Sequence, residues 1–133
     1  MAIRGLLFDF DGLLVDTETP SRLAYEELYL EHGHELPLDK WATLVGTIGA
    51  PFDPDEHLEE LVGRPLDRKR MSQRLRAREH ELCDLEDLRP GIEDYLAEAE
   101  RRHLATGIVS SSTREWISRH LKRLDRLDGW EDD

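Results

Sequence analysis

Two carboxylates at i and i+2, Asp9 and Asp11, close an apolar run over residues 3–8 and are followed at once by Gly12. Acids planted at the end of a buried segment are costly to desolvate unless something compensates them. A divalent cation would do so, because hard ions such as Mg2+ take carboxylate oxygens and keep waters and substrate phosphates in the rest of their shell. A second constellation stands at Ser110, Ser111 and Ser112, three hydroxyls after the apolar run over residues 104–109. Ser112 and Glu115 have the S-x-x-E spacing of a capping box, so a helix is expected to open there with Ser112 as its N-cap. Helix N-termini offer free N–H groups and a positive dipole to an anion, and Ser110 is expected to meet that anion.

The elements that must position these groups can be read from periodicity and punctuation. The apolar run over residues 3–8 predicts a buried strand over 3–9 in a parallel sheet, covered on both faces. In open α/β sheets, ligands bind beyond the carboxyl ends of such strands. Thr19-Pro20 predicts the start of a helix that Gly33 stops. Further helices are expected over residues 38–45, from an Asp53 cap to Gly63, and over 67–83 with Met71, Leu75 and Leu82 on one stripe. Leu88-Arg89-Pro90-Gly91 marks the end of this helical insertion. A helix over 92–103, a second strand over 104–109 and a last helix from Thr113 with Ile117, Leu121 and Leu124 inward complete the pattern. The acidic tail Gly-Trp-Glu-Asp-Asp reads as frayed.

The stretch FDFDGLLVDTE resembles motif I of the haloacid dehalogenase (HAD) superfamily, Asp-x-Asp-Gly-x-x-x-Asp-[Ser/Thr], in the form carried by phosphoglucomutase- and phosphatase-like members with a helical cap. The resemblance implies an α/β fold: a Rossmann-like core with a partial parallel sheet (1–16 and 88–133) and an inserted α-helical cap domain (17–87). It implies a Mg2+-dependent phosphatase that hydrolyses a small phosphomonoester through an aspartyl-phosphate. Asp9 would be the nucleophile. Asp11 would be the general acid and then the base, and Asp9 with the Asp11 main-chain carbonyl would bind Mg2+. Ser110, Ser111 and Gly12 would bind the substrate phosphate, Ser110 falling on motif II. Asp16 and Thr17 fall on the closing acid and hydroxyl, where they either order the loop or form an Asx-type turn.

Two family motifs have no counterpart. No lysine after a third strand and no acidic loop after a fourth can be placed; Lys122, the only Lys after residue 110, lies in the helix that follows Ser112. The resemblance therefore implies a C-terminally truncated core whose first strand has an unpaired edge and uncovered apolar side chains. Self-association through that edge is one expected consequence. The alternative to a phosphatase is a catalytically incomplete fragment, acting as a helical interaction module or completed by another chain. Thr19-Pro20-Ser21 and Gly46-Thr47-Ile48-Gly49 lack the His and the Gly-x-x-Arg of the sugar-phosphate mutase branch, which favours a phosphatase.

The whole chain sets outer bounds. Its 133 residues suit one ordinary domain, and a net charge of -12 argues against nucleic-acid and anionic-membrane partners. A single cysteine, Cys83, excludes an internal disulfide and fits a cytoplasmic location, as does the lack of a signal-like or membrane-spanning window. Arg64, Arg68, Lys69, Arg70, Arg74, Arg76 and Arg78 read as a solvated helix face paired with acids rather than a substrate attractor. Glu31-His32-Gly33-His34-Glu35 carries ligand types but reads as a surface loop rather than a zinc site. His57, His80, His103 and His120 are expected to be bland, and Trp41 and Trp116 to be core.

Overall fold

The structure is a computed structural model that describes residues 2–45, 49 and 51–130. The chain divides into two compact units, Met1–Thr17 with Asp84–Asp133, and Glu18–Cys83. In the first, β1 (Gly5–Phe8) pairs in parallel with β2 (Ala105–Ile108), Gly5 opposite Ala105 and Phe8 opposite Ile108. This is an α/β fold with a small parallel sheet. One hydrophobic cluster joins it to α5 (Ile92–Arg101) and α6 (Arg114–Arg123): Phe8, Phe10, Leu14, Val15, Ile92 and Leu121 are buried, with Leu6, Leu96, Ile108, Trp116 and Ile117 packed against them.

Strand alternation decides what is covered. Leu6, Phe8 and Phe10 turn inward, whereas Leu7 stays 76% exposed, with Ile3 at 71% and Val109 at 58%. The expectation of cover on both faces therefore fails on one face, and the expectation of uncovered apolar side chains holds. The tail differs from its frayed reading. Trp130 packs edge-on against Phe8 with ring centroids 5.8 Å apart and donates its indole N–H to the Arg126 carbonyl at 2.6 Å. The Gly129 carbonyl accepts from Thr106 Oγ1 at 2.8 Å. A large half-buried ring and two hydrogen bonds outweigh the acidic composition of this segment; Glu131, Asp132 and Asp133 lie outside the described residues.

The second unit is helical: α1 (Glu18–Glu31), α2 (Leu38–Trp41) running into a 3-10 turn (Ala42–Leu44), α3 (Pro54–Val62) and α4 (Arg68–Cys83). Its core holds Ala24, Leu28, Tyr29, Leu36, Trp41, Leu58, Met71 and Leu75. Asp53 caps α3 by accepting from the Asp55 and Glu56 amides, and Gly63, at φ 82°, ends it. The helix expected over 38–45 is shorter, because Thr43 Oγ1 donates to the Lys40 carbonyl at 2.6 Å and the last turn tightens. The α1 helix begins at Glu18, so Thr19 lies inside its first turn instead of capping it. On α4, Leu82 is half-buried and Cys83 is buried. Arg74 pairs with Glu31 at 2.8 Å, Arg78 with Glu27 at 2.9 Å, and Arg68 with Glu59, as the reading of a solvated, acid-paired face requires. Tyr29 donates its hydroxyl to the Pro54 carbonyl at 2.6 Å, so His57 Nδ1, 3.0 Å from the same oxygen, must be the donor there. Gly46, Thr47 and Ile48, on which part of the mutase comparison rests, lie outside the described residues. No helix among the described residues is long and apolar enough to cross a membrane.

Candidate functional site

Parallel pairing in this register brings the carboxyl ends of β1 and β2 side by side, the Val109 amide donating to the Phe8 carbonyl at 2.9 Å. Residues 9–11 and 110–112 leave the sheet together. Alternation then sorts the first group. Phe8 and Phe10 anchor the segment in the core, so Asp9 between them faces solvent and Asp11 is half-buried. The desolvation expected for both acids therefore does not apply to Asp9. Its Oδ1 accepts from the Phe10 amide at 2.8 Å, which ties the exposed carboxylate to the main chain.

Gly12 stands at φ 80°, a left-handed conformation that suits glycine, and turns the chain sharply. Its amide donates to the Val15 carbonyl at 2.8 Å, and its carbonyl accepts from Arg89 Nη1 at 3.1 Å. Both main-chain groups of Gly12 are thus used inside the loop. Arg89 also donates its amide to the Leu14 carbonyl at 2.9 Å, tying the loop to the segment before α5.

The serines sort differently from the sequence reading. Thr113, not Ser112, caps α6, its Oγ1 accepting from the Trp116 amide at 3.2 Å. The reason is that the Ser112 hydroxyl is engaged elsewhere: it donates to Asp11 Oδ2. Ser110 is half-buried, and its Oγ accepts from the Ser112 amide at 3.1 Å, a local turn that leaves its own O–H free to donate. Ser111 is exposed beside it.

Three residues of α6 and its approach bear on Asp11 in a way their sequence readings as cap, core and bland histidine do not anticipate. Ser112, Trp116 and His120 recur at every fourth residue, the spacing of one helical stripe. Trp116 Nε1 donates to Asp11 Oδ1 at 3.1 Å, so both Asp11 oxygens are held from this stripe. His120 is fully buried, its ring 4.3 Å from Trp116 in an edge-to-face arrangement. Burial, and then the Arg123 and Arg119 charges, push its pKa down to about 4. Arg123 Nη2 lies 3.0 Å from His120 Nδ1 and can only donate, so the ring is neutral with its proton on Nε2.

Residues 6–129 match the family described as Haloacid dehalogenase-like hydrolase. A Bacillus subtilis (strain 168) relative named "Putative phosphatase YhcW" is 42% identical over 129 residues, covering 97% of this chain and 58% of its own length. Among solved structures, a "putative beta-phosphoglucomutase" from Thermotoga maritima superposes with a TM-score of 0.75 at 19% identity, over 97% of this chain and 59% of that one. The "putative HAD-hydrolase YfnB" from Bacillus subtilis, bound to magnesium, does so with a TM-score of 0.66 at 18% identity, over 99% and 64%. At those identities the structural likeness speaks for the fold alone. The chain spans 58% of the length of its Bacillus relative. A family match over nearly the whole chain, with its motif at the end of β1, gives one conclusion: the chain belongs to the haloacid dehalogenase-like hydrolases.

Proposed function

We propose that the chain carries the nucleophile and acid/base half of a Mg2+-dependent phosphatase acting on a small phosphomonoester, with Glu18–Cys83 as its cap. The observation that carries this reading is the exposed, main-chain-anchored Asp9 carboxylate beside Asp11 and Ser110, at the paired ends of two parallel strands. Asp9 Oδ2 attacks phosphorus as the bond to the leaving alkoxide breaks, and Asp11 gives that oxygen its proton. Water then attacks the aspartyl-phosphate, Asp11 takes its proton, and the phosphorus–Asp9 bond breaks to release phosphate. Ser110 donates its O–H to a phosphoryl oxygen throughout.

The donor chemistry fits a hard cation in part. The Asp9 carboxylate and the Asp11 main-chain carbonyl are the oxygen ligands that would hold it, while no group of three or more His, Cys, Asp or Glu among the described residues could hold a metal by itself. When bound, the ion supplies neutralisation of phosphoryl charge. The test is phosphate release from an aryl phosphate with Mg2+, run beside Asp9→Asn. Release that the variant abolishes is expected; equal rates in the two proteins, or no release from either, would sink the reading.

A second reading, of a core completed by another chain, is favoured by the uncovered face with Leu7, Ile3 and Val109. On that reading the partner covers this apolar face, which is otherwise open to self-association.

A further inference from the structure

Asp11 sits half-buried beyond the end of β1, and each of its carboxylate oxygens accepts a hydrogen bond from the approach to α6 or from α6 itself. Ser112 Oγ donates to Oδ2, and Trp116 Nε1 donates to Oδ1 at 3.1 Å. The hydroxyl can turn and either donate or accept, whereas the indole can only donate. Trp116 is itself held: its ring is half-buried in the cluster beneath the loop and meets the buried His120 edge-to-face. His120 is pinned by Arg123, which donates to the Glu86 carbonyl at 2.7 Å and lies 3.8 Å from the Asp84 carboxylate. Phenylalanine would keep an aromatic ring at position 116. It would lack the indole N–H and the volume of the second ring, so the response of Asp11→Ala to the same change separates the two effects.

We infer that Trp116 is a positioning residue for Asp11, its indole N–H fixing the rotamer of the carboxylate while α6 fixes the indole. This rests on the reading of Asp11 as the proton donor and acceptor. A general acid is effective only within hydrogen-bond reach of the oxygen it serves, and a side chain free to rotate is seldom there. Losing one charge-assisted donor is expected to lower kcat about 10- to 100-fold.

The first arm needs no turnover. In the 15N-labelled full chain, the Trp116 indole N–H signal, assigned by elimination with Trp41→Phe and Trp130→Phe, is expected to exchange slowly with water. Asp11→Ala should move it and speed its exchange, and a signal that Asp11→Ala leaves unmoved overturns the inference. In the second arm, Trp116→Phe should lower kcat on the aryl phosphate by the stated factor with KM within about twofold, while Asp11→Ala no longer responds to that change. Unchanged kcat, or a loss carried by KM alone, overturns it. Absence of Asp9-dependent turnover in the unaltered chain would remove the phosphatase reading, and the indole signal would still decide whether Trp116 holds Asp11.

Discussion

Replacing His120 by leucine should change how stability depends on acidity more than it changes stability at neutral pH. The imidazole is fully buried and neutral, and its pKa is pushed from the usual 6.5 to about 4, by burial first and then by Arg123 and Arg119. The charges that bear on it are those two arginines on its own helix, with Asp84 and Asp11 on the segments packed against it. An unfolded chain binds a proton at His120 below about pH 6.5, while the folded chain declines one until about pH 4. The stabilisation is therefore complete above 6.5 and lost as pH falls from there towards 4. At roughly 1.4 kcal/mol per pH unit, that is about 3 kcal/mol in full, most of it gone by about pH 4.5. His120→Leu nearly keeps the volume and removes the titration, while all neighbouring charges stay. Urea unfolding of both proteins at about pH 7.5 and about pH 4.5 gives two differences, wild type minus variant. The difference should shrink or reverse by about 2–3 kcal/mol at the lower pH. Equal differences at both would refute the claim that a neutral buried imidazole is built into this core.

The other predictions can be stated briefly. Leu58, fully buried among Tyr29, Trp41, Met71 and Leu75, should cost roughly 2–5 kcal/mol on truncation to alanine, read as a fall in the urea midpoint. Leu7→Glu places a charge on the uncovered sheet face, and should lower self-association in sedimentation velocity with less than about 0.5 kcal/mol change in stability. Asp53→Ala removes the α3 cap and should cost about 1 kcal/mol, seen as a small loss of helical signal on heating.

What could be read from the chain follows from what is local. The Asp53 cap and the Gly63 stop are set by neighbours in sequence, and the structure places them as read, while the strand before Asp9 is present but shorter than the run and covered on one face. The partners of Asp11 are not local: Ser112 and Trp116 are 101 and 105 residues away. Their stripe with His120 is visible at every fourth residue, but an indole at helical spacing reads first as core, which Trp116 also is. The cap of α6 shifted by one residue for the same reason, since a long-range acid competed for the Ser112 hydroxyl and left Thr113 to the helix. Asp9 was misread as desolvated because an apolar run suggests burial on both faces, whereas here helices cover only the Phe8 face.

The first unit is assembled from two distant stretches of chain, and the helical unit decides how hard that is. Between Thr17 and Asp84 lie the 66 residues Glu18–Cys83, a loop whose closure as a random coil would delay the pairing of β1 with β2. Yet α1 and α4 run antiparallel, with Ser21 bonded to Glu79 at 3.1 Å, Glu27 to Arg78 and Glu31 to Arg74. Once that hairpin forms, the insertion enters and leaves at one place, and the two strands behave as though a short turn joined them. Folding should then run from the middle of the chain outward, with the site at the strand ends among the last features to appear.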